Sequence, residues 1–89
     1  MRIWCKLIKD NRLLKDLLVE ENDPSMTRTM KVYACLEEAC HEMDLEKPLW
    51  LEKNKKEFLR YAGTRFDRDS FIEAVDFDYM DFHVIEEDY

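Results

Sequence analysis

Closely spaced carboxylates are the residues of this chain whose type and spacing come nearest to metal chemistry. Asp67 and Asp69 are two residues apart, as are Asp76 and Asp78, and hard cations prefer such oxygen ligands. A calcium loop also needs a glycine at its sharp turn and a closing glutamate, and neither stands at the required offset. These residues therefore predict a solvated acidic surface. The alternative is a weak divalent-ion site or a small metal-dependent enzyme that uses the Asp67–Asp81 carboxylates.

Cysteine and histidine form no plausible nucleophile and base. Cys40 and His41 are adjacent on a predicted helix, so their side chains point about 100° apart and do not meet. Cys5 and His83 are the one pair that the predicted sheet would bring together, but Cys5 has the pattern of a core residue. The single glycine excludes the glycine-rich phosphate loops, and no serine-hydrolase or zinc-protease motif occurs. The sequence predicts no catalytic residue and no cofactor, and it favours a protein that is not an enzyme.

Basic and aromatic residues are mixed between Trp50 and Arg68, as a surface for single-stranded nucleic acid would require. The whole chain, however, has 21 Asp and Glu against 14 Lys and Arg, a net charge of −7. Such a chain repels phosphate backbones and anionic membranes. We therefore expect this basic side to face water or the protein's own acidic residues, and we predict no nucleic-acid or membrane partner.

The cysteines and the first residues predict a cytoplasmic location. Cys5, Cys35 and Cys40 are odd in number and form no C-x-x-C pair, which indicates free, buried thiols in a reducing compartment. The start, Met1-Arg-Ile-Trp-Cys-Lys, lacks the continuous apolar region of a signal peptide. No window approaches the roughly 20 apolar residues of a membrane span.

A β-hairpin is predicted at the start of the chain. Residues 2–9 alternate between two faces, and Asp10-Asn11 are turn residues that tolerate left-handed backbone. The second apolar run, Leu13 to Val19, fits a second strand, but its leucines also fit helical spacing, so both interpretations stay open.

Two helices follow. Asp23 with Pro24, or Ser25 by itself, caps a helix from Met26 to about Met43, where apolar residues recur every three or four positions. Leu49-Trp50-Leu51 is either a short strand or the entry to the next helix. Asn54, followed three residues later by a glutamate, resembles a capping box, and Gly63 closes that second helix.

The last strand is predicted over Phe77–Ile85, with Met80, Phe82 and Val84 on one face. We expect it beside the first strand, because Arg2, Lys6 and Lys9 would then face acidic residues of the last strand. The 89 residues then form a single α+β domain, in which a small antiparallel sheet, the hairpin plus the C-terminal strand, carries two helices on one face.

The two ends of the chain resemble the sequences of other proteins. The opening Met1-Arg-Ile-Trp-Cys-Lys-Leu-Ile-Lys-Asp-Asn-Arg and the closing Phe77-Asp-Tyr-Met-Asp-Phe-His-Val-Ile-Glu-Glu-Asp resemble short bacterial proteins with no assigned function. This resemblance implies a bacterial cytoplasmic protein and carries no site residue.

A terminal strand with carboxylates and aromatic side chains, among them Phe82 and Tyr89, predicts protein interaction. It would offer backbone hydrogen bonds, aromatic anchors and a charge pattern that steers a basic partner, and self-association is the simplest form of such binding. The predicted partner-binding residues are Asp76, Asp78, Tyr79, Asp81 and Glu86.

Overall fold

The chain begins with a β-hairpin. A computed structural model describes residues 1–88, in which β1 spans Arg2–Lys9 and β2 spans Arg12–Glu20. Asp10 and Asn11 connect the strands with left-handed φ angles of 51° and 63°, as predicted for a two-residue hairpin turn. The strand β2 pairs with β1 along its length, which decides the open choice for residues 13–19 in favour of a strand.

The first helix, α1, spans Arg28–Glu42 and begins two residues later than predicted. Neither Asp23 nor Ser25 caps it. Thr27 does so, because its hydroxyl oxygen accepts a hydrogen bond from the Met30 N–H at 3.2 Å. The Asp23 carboxylate instead accepts hydrogen bonds from the backbone and the hydroxyl of Ser25, which forms a turn ahead of the helix.

The second helix, α2, spans Glu52–Tyr61, and the apolar run before it is its entry, not a strand. Leu51 is the capping position. Asn54 lies inside the first turn, where its side-chain oxygen accepts a hydrogen bond from the Leu51 N–H at 3.0 Å. The helix ends on Ala62, which is left-handed at φ 55°, so the predicted closing role of Gly63 is wrong by one residue.

A strand that the sequence did not predict follows α2. β3 spans Gly63–Asp67 and leads through a short 3₁₀ turn, Arg68–Ser70, and a loop into β4, Tyr79–Glu86. The strands form one antiparallel sheet in the order β2-β1-β4-β3. The prediction that the last strand lies beside the first is confirmed, because β4 pairs with β1.

The architecture is α+β, with both helices on one face of the sheet. The buried side chains of the sheet, such as Ile3, Cys5 and Phe82, join Leu36 of α1 and Phe58 of α2 in one apolar core. Among residues 1–88, no helix is both long and apolar enough to cross a membrane.

Candidate functional site: the open face of the sheet

The other face of the sheet carries no helix within residues 1–88, and we call it the open face. Alternation along the strands and the pairing register decide which side chains it holds. They lie in three rows across the strands: Leu18, Trp4, His83 and Gly63; then Asp16, Lys6, Asp81 and Arg65; then Leu13, Ile8, Tyr79 and Asp67.

The middle row alternates in charge. Its four members run negative, positive, negative and positive from β2 to β3. Lys6 Nζ lies 3.7 Å from the Asp81 carboxylate, and the Asp16 carboxylate accepts a hydrogen bond from the Trp4 indole N–H at 3.0 Å. Each cross-strand pair of this kind contributes a few tenths of a kcal/mol to about 1 kcal/mol. The row is therefore charge-compensated at short range.

The rows on either side place aromatic rings next to cations. Trp4 and His83 have ring centroids 6.1 Å apart, and Lys6 Nζ lies 4.3 Å from the Trp4 ring centroid. On the same face, toward the β3 edge, the Arg65 guanidinium lies 4.6 Å from the Tyr79 ring centroid. These distances are those of cation–π contacts, which hold the rings in place while leaving them half-exposed.

A cleft of about 370 Å³ adjoins this face at the β3 edge. Gly63, which lies directly opposite His83, lines this cleft, and a Cβ there would lie 2.2 Å from the His83 Cβ. The His83 imidazole is held by Asp81, with Nδ1 3.3 Å from the carboxylate. Glu57 and Tyr61 of α2 line the far side.

Glu57 is fixed by a chain of hydrogen bonds that starts in the core. Asn54, fully buried, donates from its side-chain amide to the Thr64 hydroxyl oxygen at 2.9 Å and to the Arg65 carbonyl at 3.0 Å. The Thr64 hydroxyl donates in turn to the Glu57 carboxylate at 2.6 Å. The carboxylate therefore has a defined position at the cleft, and no cation pairs with it within residues 1–88.

The structure brings together two of the five predicted partner-binding residues, Tyr79 and Asp81, on the open face. Asp78 precedes β4, and its carboxylate accepts hydrogen bonds from the Asp10 N–H and the Arg68 guanidinium. Asp76 is exposed in the loop before it, and Glu86 lies at the far end of β4, where it pairs with Arg2 at 3.3 Å.

β4 is an interior strand, between β1 and β3, although it is the last strand in sequence. From Tyr79 to His83 its backbone is paired on both sides, so this part of the strand offers a partner only its outward side chains. The inward Phe82 is fully buried and belongs to the core. Tyr89, the remaining aromatic residue predicted for this strand, lies outside the described residues.

The Asp67–Asp81 carboxylates are held apart in separate contacts. Asp67 pairs with Lys53, Asp78 pairs with Arg68, and Asp81 pairs with Lys6. Within residues 1–88 no group of three or more His, Cys, Asp or Glu side chains is arranged to hold a metal ion. This geometry does not favour the metal-dependent alternative.

The thiols are placed for packing and not for chemistry. Cys5 faces the core, whereas His83 lies on the open face, so the sheet separates this pair. Burial raises the pKa of the Cys5 thiol to about 12 and those of Cys35 and Cys40 to about 11. Because the thiolate is the nucleophile, these groups are inert near neutral pH.

Comparison with known proteins gives no match: no family model matches the chain, and no curated protein or solved structure is significantly similar to it. Function is therefore inferred from the open face itself.

The β3 side of the open face went unnoticed in the sequence. Gly63 and Arg65 belong to β3, a strand with one large apolar residue, Phe66, and so with little visible alternation. A signal was nevertheless present, since the only glycine of the chain marks a close approach of neighbouring backbone.

Proposed function

We propose that this protein is a small protein-interaction module that binds its partner through the open face, around the outward side chains of β4. The observation that carries the proposal is the presence of Trp4, Tyr79 and Arg65 on one uncovered sheet face, fixed by contacts with their neighbours. Trp, Tyr and Arg are the residues that contribute most binding energy at protein interfaces.

The energetics of the face support a binding role. The aromatic rings are held by cross-strand contacts, so little side-chain entropy is lost when a partner orders them further. Leu13 and Leu18 add apolar area at the β2 side, with 52% and 45% of their surface exposed. In the row between them, Lys6 and Asp81 are already paired, so a partner covers these two charges at a lower desolvation cost than isolated charges.

The partner that fits this face is a basic protein segment. The net charge of −7 attracts positive chains over distances up to the Debye length, about 8 Å at physiological salt. At close range, the carboxylate of Glu57, the Asp81–His83 pair and the Tyr61 ring line a cleft that has room for a Lys or Arg side chain, and Arg65 is the one cation of residues 1–88 in its lining besides the histidine. An aromatic ring beside carboxylates suits such a cation.

We place this function in the reducing bacterial cytoplasm. The three cysteines of the chain are free and buried, as they would be in a reducing compartment. The bacterial part of the proposal rests on the resemblance of the two chain ends to short bacterial proteins.

The test is a pull-down from lysate of the source cells with two matched double variants. Tyr79→Ala with His83→Ala removes two side chains from the open face, and Tyr33→Ala with His41→Ala removes the same residue types from the exposed side of α1. We expect the native protein and the α1 variant to retain the same partner at about 0.1 M salt, and the open-face variant to lose it.

Salt provides the second comparison. Raising the ionic strength to about 0.5 M shortens the screening length and should release much of a partner steered by charge. Equal recovery by both double variants, or recovery of no specific protein by any of the three baits, would contradict the proposal.

A further inference from the structure

The outer edge of β2 is the longest unpaired backbone edge of the sheet. β2 has nine residues and pairs on one side only, with β1, whereas the other edge strand, β3, has five residues. A bulge at Leu14 interrupts the ladder near the turn, so the regular part of the edge is Lys15–Glu20. Six residues in extended conformation give about 20 Å of free backbone donors and acceptors.

Apolar side chains accompany this free edge. Leu13, Leu14 and Leu18 are each about half exposed, at 52%, 53% and 45%. Lys15, Asp16 and the bulge at Leu14 protect this edge in part, but the regular part of β2 contains no proline and no segment within residues 1–88 covers it. An edge of this kind is a template for another strand.

The charges of β2 decide which strand fits. Arg12 and Lys15 lie toward the turn, whereas Glu20 and Glu21 lie at the other end. Arg12, Lys15 and Glu20 form no ion pair within residues 1–88, in contrast to most acidic residues near β4. When two such strands lie antiparallel, the positive end of each meets the negative end of the other. Parallel pairing would bring like charges together.

We propose that a second copy of this chain occupies the edge: two β2 strands pair antiparallel about a two-fold axis and join two sheets into one of eight strands. The pairing satisfies the free backbone groups and covers Leu13 and Leu18 from both copies. It also places the positive end of each β2 beside the negative end of the other. Tyr79 and His83 lie away from this edge, whereas Leu13 and Leu18 belong both to the edge and to the open face, and the two open faces would then lie side by side. The two proposals are still tested separately, because the charge-reversed variants of β2 leave Tyr79 and His83 unchanged.

The test uses two charge-reversed chains. Arg12→Glu with Lys15→Glu makes every β2 charge negative, and Glu20→Lys with Glu21→Lys makes all but Asp16 positive. Each variant alone should dimerise at least about tenfold more weakly than the native chain, because two-fold symmetry repeats each like-charge contact. An equimolar mixture should recover a heterodimer of near-native affinity. Sedimentation equilibrium between about 5 and 300 μM measures all four samples.

Three outcomes would overturn the inference. A native chain that is monomeric over the whole range has no dimer to explain. Variants that dimerise as tightly as the native chain place the interface elsewhere, and a mixture that stays monomeric rejects antiparallel charge matching. Arg12, Lys15 and Glu20 are exposed, whereas Glu21 is half-buried after β2 and accepts a hydrogen bond from the Asp23 N–H at 3.2 Å. Urea unfolding of each variant checks that the fold is intact.

Discussion

At the scale of single residues, one buried amide organises the region behind the cleft. Asn54 is fully buried, and its side chain makes hydrogen bonds to Leu51, Thr64 and Arg65, which tie the start of α2 to β3. The sequence drew attention to Asn54 but assigned it to the helix cap. Its contacts with β3 connect residues more than nine positions apart, so no local pattern revealed them.

Asn54→Asp tests this role with almost no change in shape. The carboxylate loses the donors to the Thr64 hydroxyl oxygen and the Arg65 carbonyl and adds a buried charge, so we expect a loss of about 3 kcal/mol in the free energy of unfolding. Asn11→Asp, in the exposed hairpin turn, is the control and should change stability by less than about 0.5 kcal/mol. Urea unfolding measures both. Equal effects would show that Asn54 has no special role.

Substitutions at the neighbouring residues Ala62 and Gly63 should change the free energy of unfolding in opposite directions. A Cβ on Gly63 would lie 2.2 Å from the His83 Cβ and 3.0 Å from its Cα, so Gly63→Ala forces β3 away from β4 and should cost about 2 kcal/mol. Ala62 has φ 55°, where a Cβ is strained, so Ala62→Gly should gain up to about 1 kcal/mol. Thermal and urea unfolding compare the two variants. A Gly63→Ala protein as stable as the native one would contradict the close approach.

At the scale of elements, the sequence predicted the parts whose local pattern is strong. The hairpin follows from alternation around Asp10-Asn11, and β4 follows from alternation of Met80, Phe82 and Val84. The missed element was β3, whose position depends on packing against β4 and α2. Because β3 went unseen, β4 looked like an exposed terminal strand, and the cleft beside His83 could not be anticipated.

The segment after β4 fastens the sheet to α1 and to the start of the chain. Glu87 forms a two-bond contact with the Arg28 guanidinium, and the Asp88 carboxylate pairs with Lys31 and with the Met1 ammonium group. The hydrogen bond from Lys31, followed by that from Met1, lowers the pKa of Asp88, and the hydrogen bond from Arg28 lowers the pKa of Glu87. These acids therefore stabilise the fold in their charged forms.

The ion pairs of Glu87 and Asp88 predict that the protein loses stability in acid. A carboxyl with a lowered pKa binds its proton more weakly in the folded state than in the unfolded chain, so stability rises with pH. The contribution is complete above the unfolded pKa of about 4 and is lost as pH falls through the lower folded value. Asp88→Asn should reduce the slope of unfolding free energy against pH in this window. Asp76→Asn, at an exposed loop residue, is the control, and an equal change in both slopes would contradict the assignment.

At the scale of the whole molecule, the net charge and the local charges have separate roles. Most carboxylates near β4 are paired inside the protein, so they stabilise the fold and do not form a bare acidic strand. The excess of seven negative charges still acts at a distance and favours encounter with basic chains. Specificity must then come from the aromatic rows of the open face, where binding removes apolar area from water.

The most direct test of this account is photo-crosslinking inside the source cells. A photoreactive benzophenone amino acid replaces Tyr79 on the open face in one variant and Tyr33 on α1 in the other, so that both sites exchange a partly exposed tyrosine. We predict that light links a partner protein to position 79 and not to position 33, and that mass spectrometry finds basic segments of that partner at the link. Crosslinks from position 33 alone, or from neither position, would contradict the assignment of the open face as the binding surface.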